Sequence, residues 1–312
     1  MKRLLQKCKK IVNQYVRSNQ EIDSSDFFVP LDHFYSPMVV ADELTTTFKD
    51  FYDAQSSVSS LDGIDIDGEK MNDLWVQFSE YIENYPFSEH SSDEYTYYLD
   101  NGSFVYGDGL ILHSMIRHFK PKRIIEIGSG FSSACIFDTS KFLSSPIEII
   151  YIEPYPDLLY AVLPKCAQKN VTIIAEKIQN VDLSYFKQLQ ENDFLFIDST
   201  HIMKTGSDVM HEFFTIMPMI KPGVFVHFHD IFWPFEYPKS WIFENRKYSR
   251  SWNELYGLRA LLTNNSEYEI VFFNDYFGKI HKNIANKIPH FAKNPGGSIW
   301  LRKCARDNED KK

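Results

Sequence analysis

The stretch PKRIIEIGSGFSSAC, residues 121–135, constrains this chain more than any other. An Ile-rich run stops abruptly at Gly128-Ser129-Gly130, and small residues continue through Ala134. A chain gives up side chains at the end of a strand when something must come close to its backbone, and glycine also admits the positive φ that other residues avoid. A helix starting near Phe131 would aim its unpaired N–H groups at the same spot. The segment therefore reads as a strand-to-helix junction facing a ligand, where Gly128 and Gly130 permit positive φ and close approach.

Four more short β-rich runs follow the same rhythm: IEIIYIEP (147–154), VTIIAE (171–176), DFLFIDST (193–200) and GVFVHFHD (223–230). Near-continuous Ile, Val and Phe fit strands buried on both faces of a parallel sheet, and the helical patterns between them make βα units. The spacing predicts an α/β fold, a doubly wound and mostly parallel sheet. Two further runs, YEIVFFND (268–275) and GGSIWLRK (296–303), show no helix pattern between them, which predicts that the last strand is antiparallel and paired into the sheet edge. Residues 1–95 mix polar and acidic clusters with helical patterns such as MNDLWVQFSEYIENY. They are expected to form a mainly helical N-terminal cap or lid on a second domain, 96–312.

Composition narrows the function. The 312 residues carry a formal charge of −9 with no long basic tract, a poor match to nucleic acid. Four cysteines lie far apart without CxxC spacing; Cys135 and Cys166 sit in apolar surroundings, which suggests reduced thiols and a cytoplasmic protein. No apolar run is long enough to span a bilayer. The basic stretch MKRLLQKCKKIVNQYV lacks the features of a signal peptide and reads as a solvated amphipathic helix.

Open α/β sheets bind ligands beyond the carboxyl ends of their strands, at the switch point. A dinucleotide turn places a third glycine where this chain has Ser133. Glu126, two residues before Gly128, would oppose a pyrophosphate by charge but could order the loop and receive an ammonium group. Glu153, at the end of the second run, suits ribose hydroxyls. Gln179 is placed to reach an adenine edge, or to stay an exposed loop residue. Asp108 either caps the helix before the first strand or takes the ligand's amino group.

Asp198 ends the fourth run with His201 three residues on, and His229 and Asp230 end the fifth. Both ends flank the switch point, so these four side chains should converge. His227 shares a strand face with His229 but lies deeper, as a core histidine. His201 could instead cap the following helix. Lys204 reads as a surface residue within reach of an anion, and Asn253 and Glu254 as helix caps. The run IFWPFEYPKSWIF (231–243) is broken by Pro234 and Pro238, and reads equally as an acceptor-pocket wall or as packing.

Glu126-Ile127-Gly128-Ser129-Gly130, Glu153 and five βα units with a terminal antiparallel strand resemble the class I S-adenosylmethionine-dependent methyltransferases, over about two thirds of the chain. The resemblance implies a seven-stranded Rossmann-like sheet. It also implies a cofactor site built from Asp108, Glu126, Gly128, Ser129, Gly130, Glu153, Gln179 and Asp198. The ends at Asp198 and at His229-Asp230 are similar to those of the metal-dependent, catechol-type O-methyltransferases. By that likeness Asp198, His229 and Asp230 hold a divalent ion, magnesium or manganese. Catalysis then falls to Asp198, His229 and His201, the last as general base, acting on a small hydroxylated acceptor. His229 departs from the family's carboxylate, which leaves a metal-free variant open. Two readings stand beside this one: a cofactor-fold protein that only binds, and an NAD-dependent oxidoreductase.

Overall fold

The computed structural model describes residues 28–40, 44, 58–243 and 250–305. The N-terminal stretch read as an amphipathic helix lies outside these. The chain divides into two compact units, Met1–Lys49 with Lys239–Ser251, and Asp50–Pro238 with Trp252–Lys312. In the first, the Val39 N–H donates to Ser251 Oγ (2.9 Å) and the Arg250 guanidinium lies 4.1 Å above the Trp241 ring. Residues 58–95 belong to the same unit as the sheet.

The second unit holds a seven-stranded sheet: β1 Arg123–Ile127, β2 Glu148–Ile152, β3 Thr172–Ile174, β4 Phe194–Ile197, β5 Phe225–Phe228, β6 Tyr268–Phe273 and β7 Ile299–Lys303. Their order is β3-β2-β1-β4-β5-β7-β6. β1 to β5 pair in parallel, and β7 runs antiparallel to both its neighbours. β4 and β5 are buried along their whole length, as their unbroken apolar runs demand. β7 is antiparallel as expected but inserts between β5 and β6, leaving β6 at the edge. The alternation in β6 records this, with Tyr268 and Ile270 buried and Glu269 exposed. Three short helices, Asn274–Ile280, Lys282–Ala285 and Pro289–Lys293, fill the β6–β7 connection where no helix was expected. Helix Gly68–Gln77 packs here through Trp75, whose ring lies 4.8 Å from Phe277 and 4.9 Å from Phe291.

The parallel register levels the strand ends. Ile152, Ile127, Ile197 and Phe228 form one row across β2, β1, β4 and β5. The next residues, Glu153, Gly128, Asp198 and His229, form a second row at the carboxyl edge, because each N–H donates to a carbonyl of the neighbouring strand (2.9–3.1 Å). Four residues scattered over a hundred positions thus become neighbours. The switch point falls inside this row, between β1 and β4.

Candidate active site

Gly128 has φ +76°, and a Cβ there would lie 1.8 Å from the Asp198 carbonyl oxygen. What comes close to this glycine is the end of β4 itself. Gly130 does not use that freedom: its φ is −178°, and an added Cβ would meet only Leu158 Cδ2 at 3.3 Å.

Glu126 is fully buried behind the turn. Its carboxylate accepts from Ser132 Oγ (2.5 Å) and Ser133 Oγ (2.7 Å), and Ser133 Oγ in turn accepts from the Gly130 N–H (3.0 Å). The acid ties strand, turn and the first turn of helix Phe131–Ser140 into one piece. Burial pushes its pKa to about 8 against the two serine hydrogen bonds. Glu153 braces the turn from the other side, accepting from the Ser129 N–H (3.3 Å) and the Tyr155 N–H (2.8 Å).

A cleft of about 410 Å³ opens beside this turn. Gly128, Glu153, Gln179 and Asp198 line it, with Tyr155 and Lys177 on the rim and exposed Lys204 opposite. Its size falls within the range of small-molecule sites. Gln179 Nε2 donates to the Gly206 carbonyl (2.9 Å), which fixes it at the mouth. Glu126, Ser129 and Gly130 support the cleft without lining it.

Asp108 lies away from the cleft. It sits in the first turn of helix Gly107–Phe119, whose N-cap position is Tyr106, so it is not the cap. Its Oδ1 accepts from Ser298 Oγ (2.6 Å), and burial raises its pKa to about 7. Ser298 Oγ also bonds His227 Nε2 (2.9 Å), whose ring stacks on Phe196 (3.8 Å). His227 is a core histidine, its pKa driven well down by burial and the neighbouring His229.

At the other end of the row, His201 Nε2 stands 3.5 Å from both Asp198 Oδ1 and Asp230 Oδ2. His201 Nδ1 lies 2.7 Å from Glu254 Oε2. Two of these residues adopt left-handed backbone, His201 at φ +60° and Asp230 at φ +58°. Such conformations cost on the order of 1–3 kcal/mol each and concentrate at functional sites. Burial lowers the pKa of His201, but hydrogen bonds to Asp198 and Glu254, and their charges, outweigh it and hold the imidazole well above its ordinary 6.5. Burial alone would raise Asp198; the charges of His229 and His201 hold it at about 2. His229 is raised despite burial, because Asp230, Asp198 and Asp108 surround it. Its Nε2 is 3.6 Å from Asp230 Oδ1, and its Nδ1 is buried without a hydrogen-bond partner.

Among the described residues no three His, Cys, Asp or Glu side chains are arranged to hold an ion. Asp198, His229 and Asp230 converge as expected, but the His201 ring nitrogen takes the place between the two aspartates. Ser207, not His201, caps the helix after β4. Asn253 occupies an N-cap position without a capping bond; its side chain instead grips Met203 N (2.6 Å) and Met203 O (3.2 Å). In the aromatic run the packing reading holds: Trp233, Phe235 and Tyr237 are buried, with Trp233 against Tyr276 (4.9 Å). Cys166 is exposed, not apolar-packed, and Cys135 is buried and free.

A family model described as a methyltransferase domain matches residues 125–231, from β1 to just past β5. An uncharacterized protein of Archaeoglobus fulgidus is 35% identical over 168 residues, 52% of this chain and 74% of that one. The chain belongs to the class I S-adenosylmethionine-dependent methyltransferases. The matched segment of this methyltransferase runs from Ile125 to Ile231 and so contains the whole carboxyl-edge row. Among solved structures, it is similar to the O-methyltransferase TomG of Streptomyces achromogenes, involved in tomaymycin synthesis and solved with S-adenosylmethionine. That pair shares 14% identity over 83% of this chain and 100% of the other, with a TM-score of 0.42. A Bacillus cereus O-methyltransferase solved with S-adenosylhomocysteine is 14% identical over 82% and 98%, with a TM-score of 0.39. The methyltransferase-domain match sets aside the NAD reading. Among the described residues no helix is long and apolar enough to cross a membrane.

Proposed function

We propose that this methyltransferase uses S-adenosylmethionine to methylate a hydroxyl oxygen of a small molecule, with His201 as general base and without a metal ion. Bound in the cleft, the cofactor supplies an electrophilic methyl group on a sulfonium. Gly128, Glu153 and Gln179 would hold it. The cleft volume of about 410 Å³ and its lining by these three residues support that fit. The ionised Asp198 on the cleft wall favours a cationic ligand.

The acceptor hydroxyl is a weak nucleophile until its proton leaves. The observation that carries the reading is His201, held at Nδ1 by Glu254 and presenting Nε2 at the carboxyl edge beside Asp198. Nε2 takes the hydroxyl proton; Asp198 and Asp230, 3.5 Å away, stabilise the imidazolium that results. The test is release of S-adenosylhomocysteine across a panel of hydroxylated acceptors. His201→Ala is expected to lose about 10³-fold in kcat while S-adenosylhomocysteine affinity, by calorimetry, changes less than about twofold. Wild-type turnover by that variant would remove His201 from the chemistry.

A further inference from the structure

Glu254 is a buried acid far in sequence from every motif of the site, and only 1% of it is exposed. We propose that Glu254 is the positioning residue of the reaction, selecting the tautomer and the orientation in which His201 can accept a proton. This deepens the reading above and rests on it.

The argument starts from what His201 faces. Its Nε2 lies 3.5 Å from two carboxylates, Asp198 and Asp230. Carboxylates are acceptors only, so by themselves they favour the tautomer with the proton on Nε2, where it can be donated to them. That tautomer has no lone pair to offer a substrate. A carboxylate at Nδ1 reverses the preference: the proton goes to Nδ1 and Nε2 becomes the acceptor. Glu254 Oε2 lies 2.7 Å from Nδ1; burial raises the pKa of this acid, and the hydrogen bond and charge of His201 oppose that rise and favour its carboxylate form.

The backbone supplies the orientation. The Glu254 N–H donates to the His201 carbonyl (3.2 Å), and the Asn253 N–H to the same oxygen (3.1 Å). Asn253 also holds Met203 through both ends of its amide. The His201 ring packs against Trp252, centroid to centroid 4.4 Å. Trp252, Asn253 and Glu254, at the start of helix Glu254–Leu262, thus form a template for the 201–203 loop and keep His201 at its strained φ of +60°. The buried Glu212 accepts from Ser199 Oγ (3.2 Å), and burial and the nearby Glu254 charge raise its pKa, so the acid at hydrogen-bond distance from Nδ1 is Glu254.

The test is Glu254→Gln. An amide can present its NH₂ to Nδ1 and trap the wrong tautomer, the effect that replacing the acid of a catalytic triad has. We expect kcat to fall about 100-fold or more, with acceptor KM and S-adenosylhomocysteine affinity within about twofold of wild type. Nitrogen NMR of labelled histidine, on the alkaline side of the titration, should show His201 protonated at Nδ1 in the wild type and at Nε2 in the variant. Glu254→Asp, which keeps the charge, should recover part of the lost kcat. Wild-type kcat in Glu254→Gln, an unchanged tautomer, or a loss of kcat accompanied by lost cofactor binding in both variants would overturn the proposal. His201→Ala separates it from the parent reading. If that variant is inactive while Glu254→Gln is fully active, only the role of Glu254 fails; if His201→Ala is fully active, the base assignment fails.

Discussion

The turn after β1 and the cluster beyond β4 and β5 lie on one edge of one sheet, yet they are built in opposite ways. At the turn the partners are local: Glu126 reaches Ser132 and Ser133, six and seven residues on, and Gly130 reaches Ser133. In the cluster the partners are distant: His201 and Glu254 are 53 residues apart, His227 and Ser298 are 71, and Asp108 and Ser298 are 190. The local half shapes a binding turn that holds its form through short-range bonds. The distant half gathers titratable groups whose properties exist only once the sheet has formed. Binding and proton transfer should therefore respond separately to mutation.

The largest expected break in that comparison comes from Gly128→Ala. The new Cβ would collide with the Asp198 carbonyl at positive φ, so the one local residue on which both halves depend should fail. A loss of about 3 kcal/mol or more in urea unfolding is expected. Gly130→Ala is the control: with extended φ and only a side-chain carbon at 3.3 Å, it should cost under about 1 kcal/mol.

The pH profile sharpens the same contrast. A base acts only when unprotonated, and His201 is held well above 6.5, so kcat/KM should rise with pH, about tenfold per unit, to a midpoint above the ordinary imidazole range. Cofactor-product affinity, set by the turn, should not follow that limb. A profile flat through and above neutrality would contradict the assignment of His201.

Glu153→Ala should act on the turn half alone. Removal of a charged acceptor at the cleft is expected to weaken S-adenosylhomocysteine binding about tenfold or more, with single-turnover chemistry at saturating cofactor near wild type. The smallest expected effect is that of a chelator. Because His201 Nε2 separates Asp198 from Asp230, dialysis against EDTA should leave turnover unchanged, and added magnesium or manganese should not raise it. A metal requirement would show that the two aspartates rearrange around an ion.

Much of the fold was legible. Seven β-rich runs marked the seven strands, because strands buried on both faces must be apolar throughout. The place of β7 was not, since the runs alone do not say which of two antiparallel strands is outermost; the exposed Glu269 in β6 was the available signal. Glu126, Gly128, Glu153, Asp198, His201, His229 and Asp230 are all singled out by their positions at or near run ends. Glu254 was read as a cap, because an acid in the first turn of a helix is ordinary. Which of the two glycines takes positive φ was not legible, because glycine spacing does not reveal φ.

By itself the sequence determined the sheet, its glycine turn and the residues brought to its carboxyl edge, because apolar runs, strand length and turn chemistry are properties of neighbouring residues. Only the tertiary structure decided that the β4 end is what crowds Gly128, and that an imidazole separates the two aspartates with Glu254 behind it. Those contacts join residues far apart in the chain, and their distances are set by how the helices and loops pack after the strands are in place.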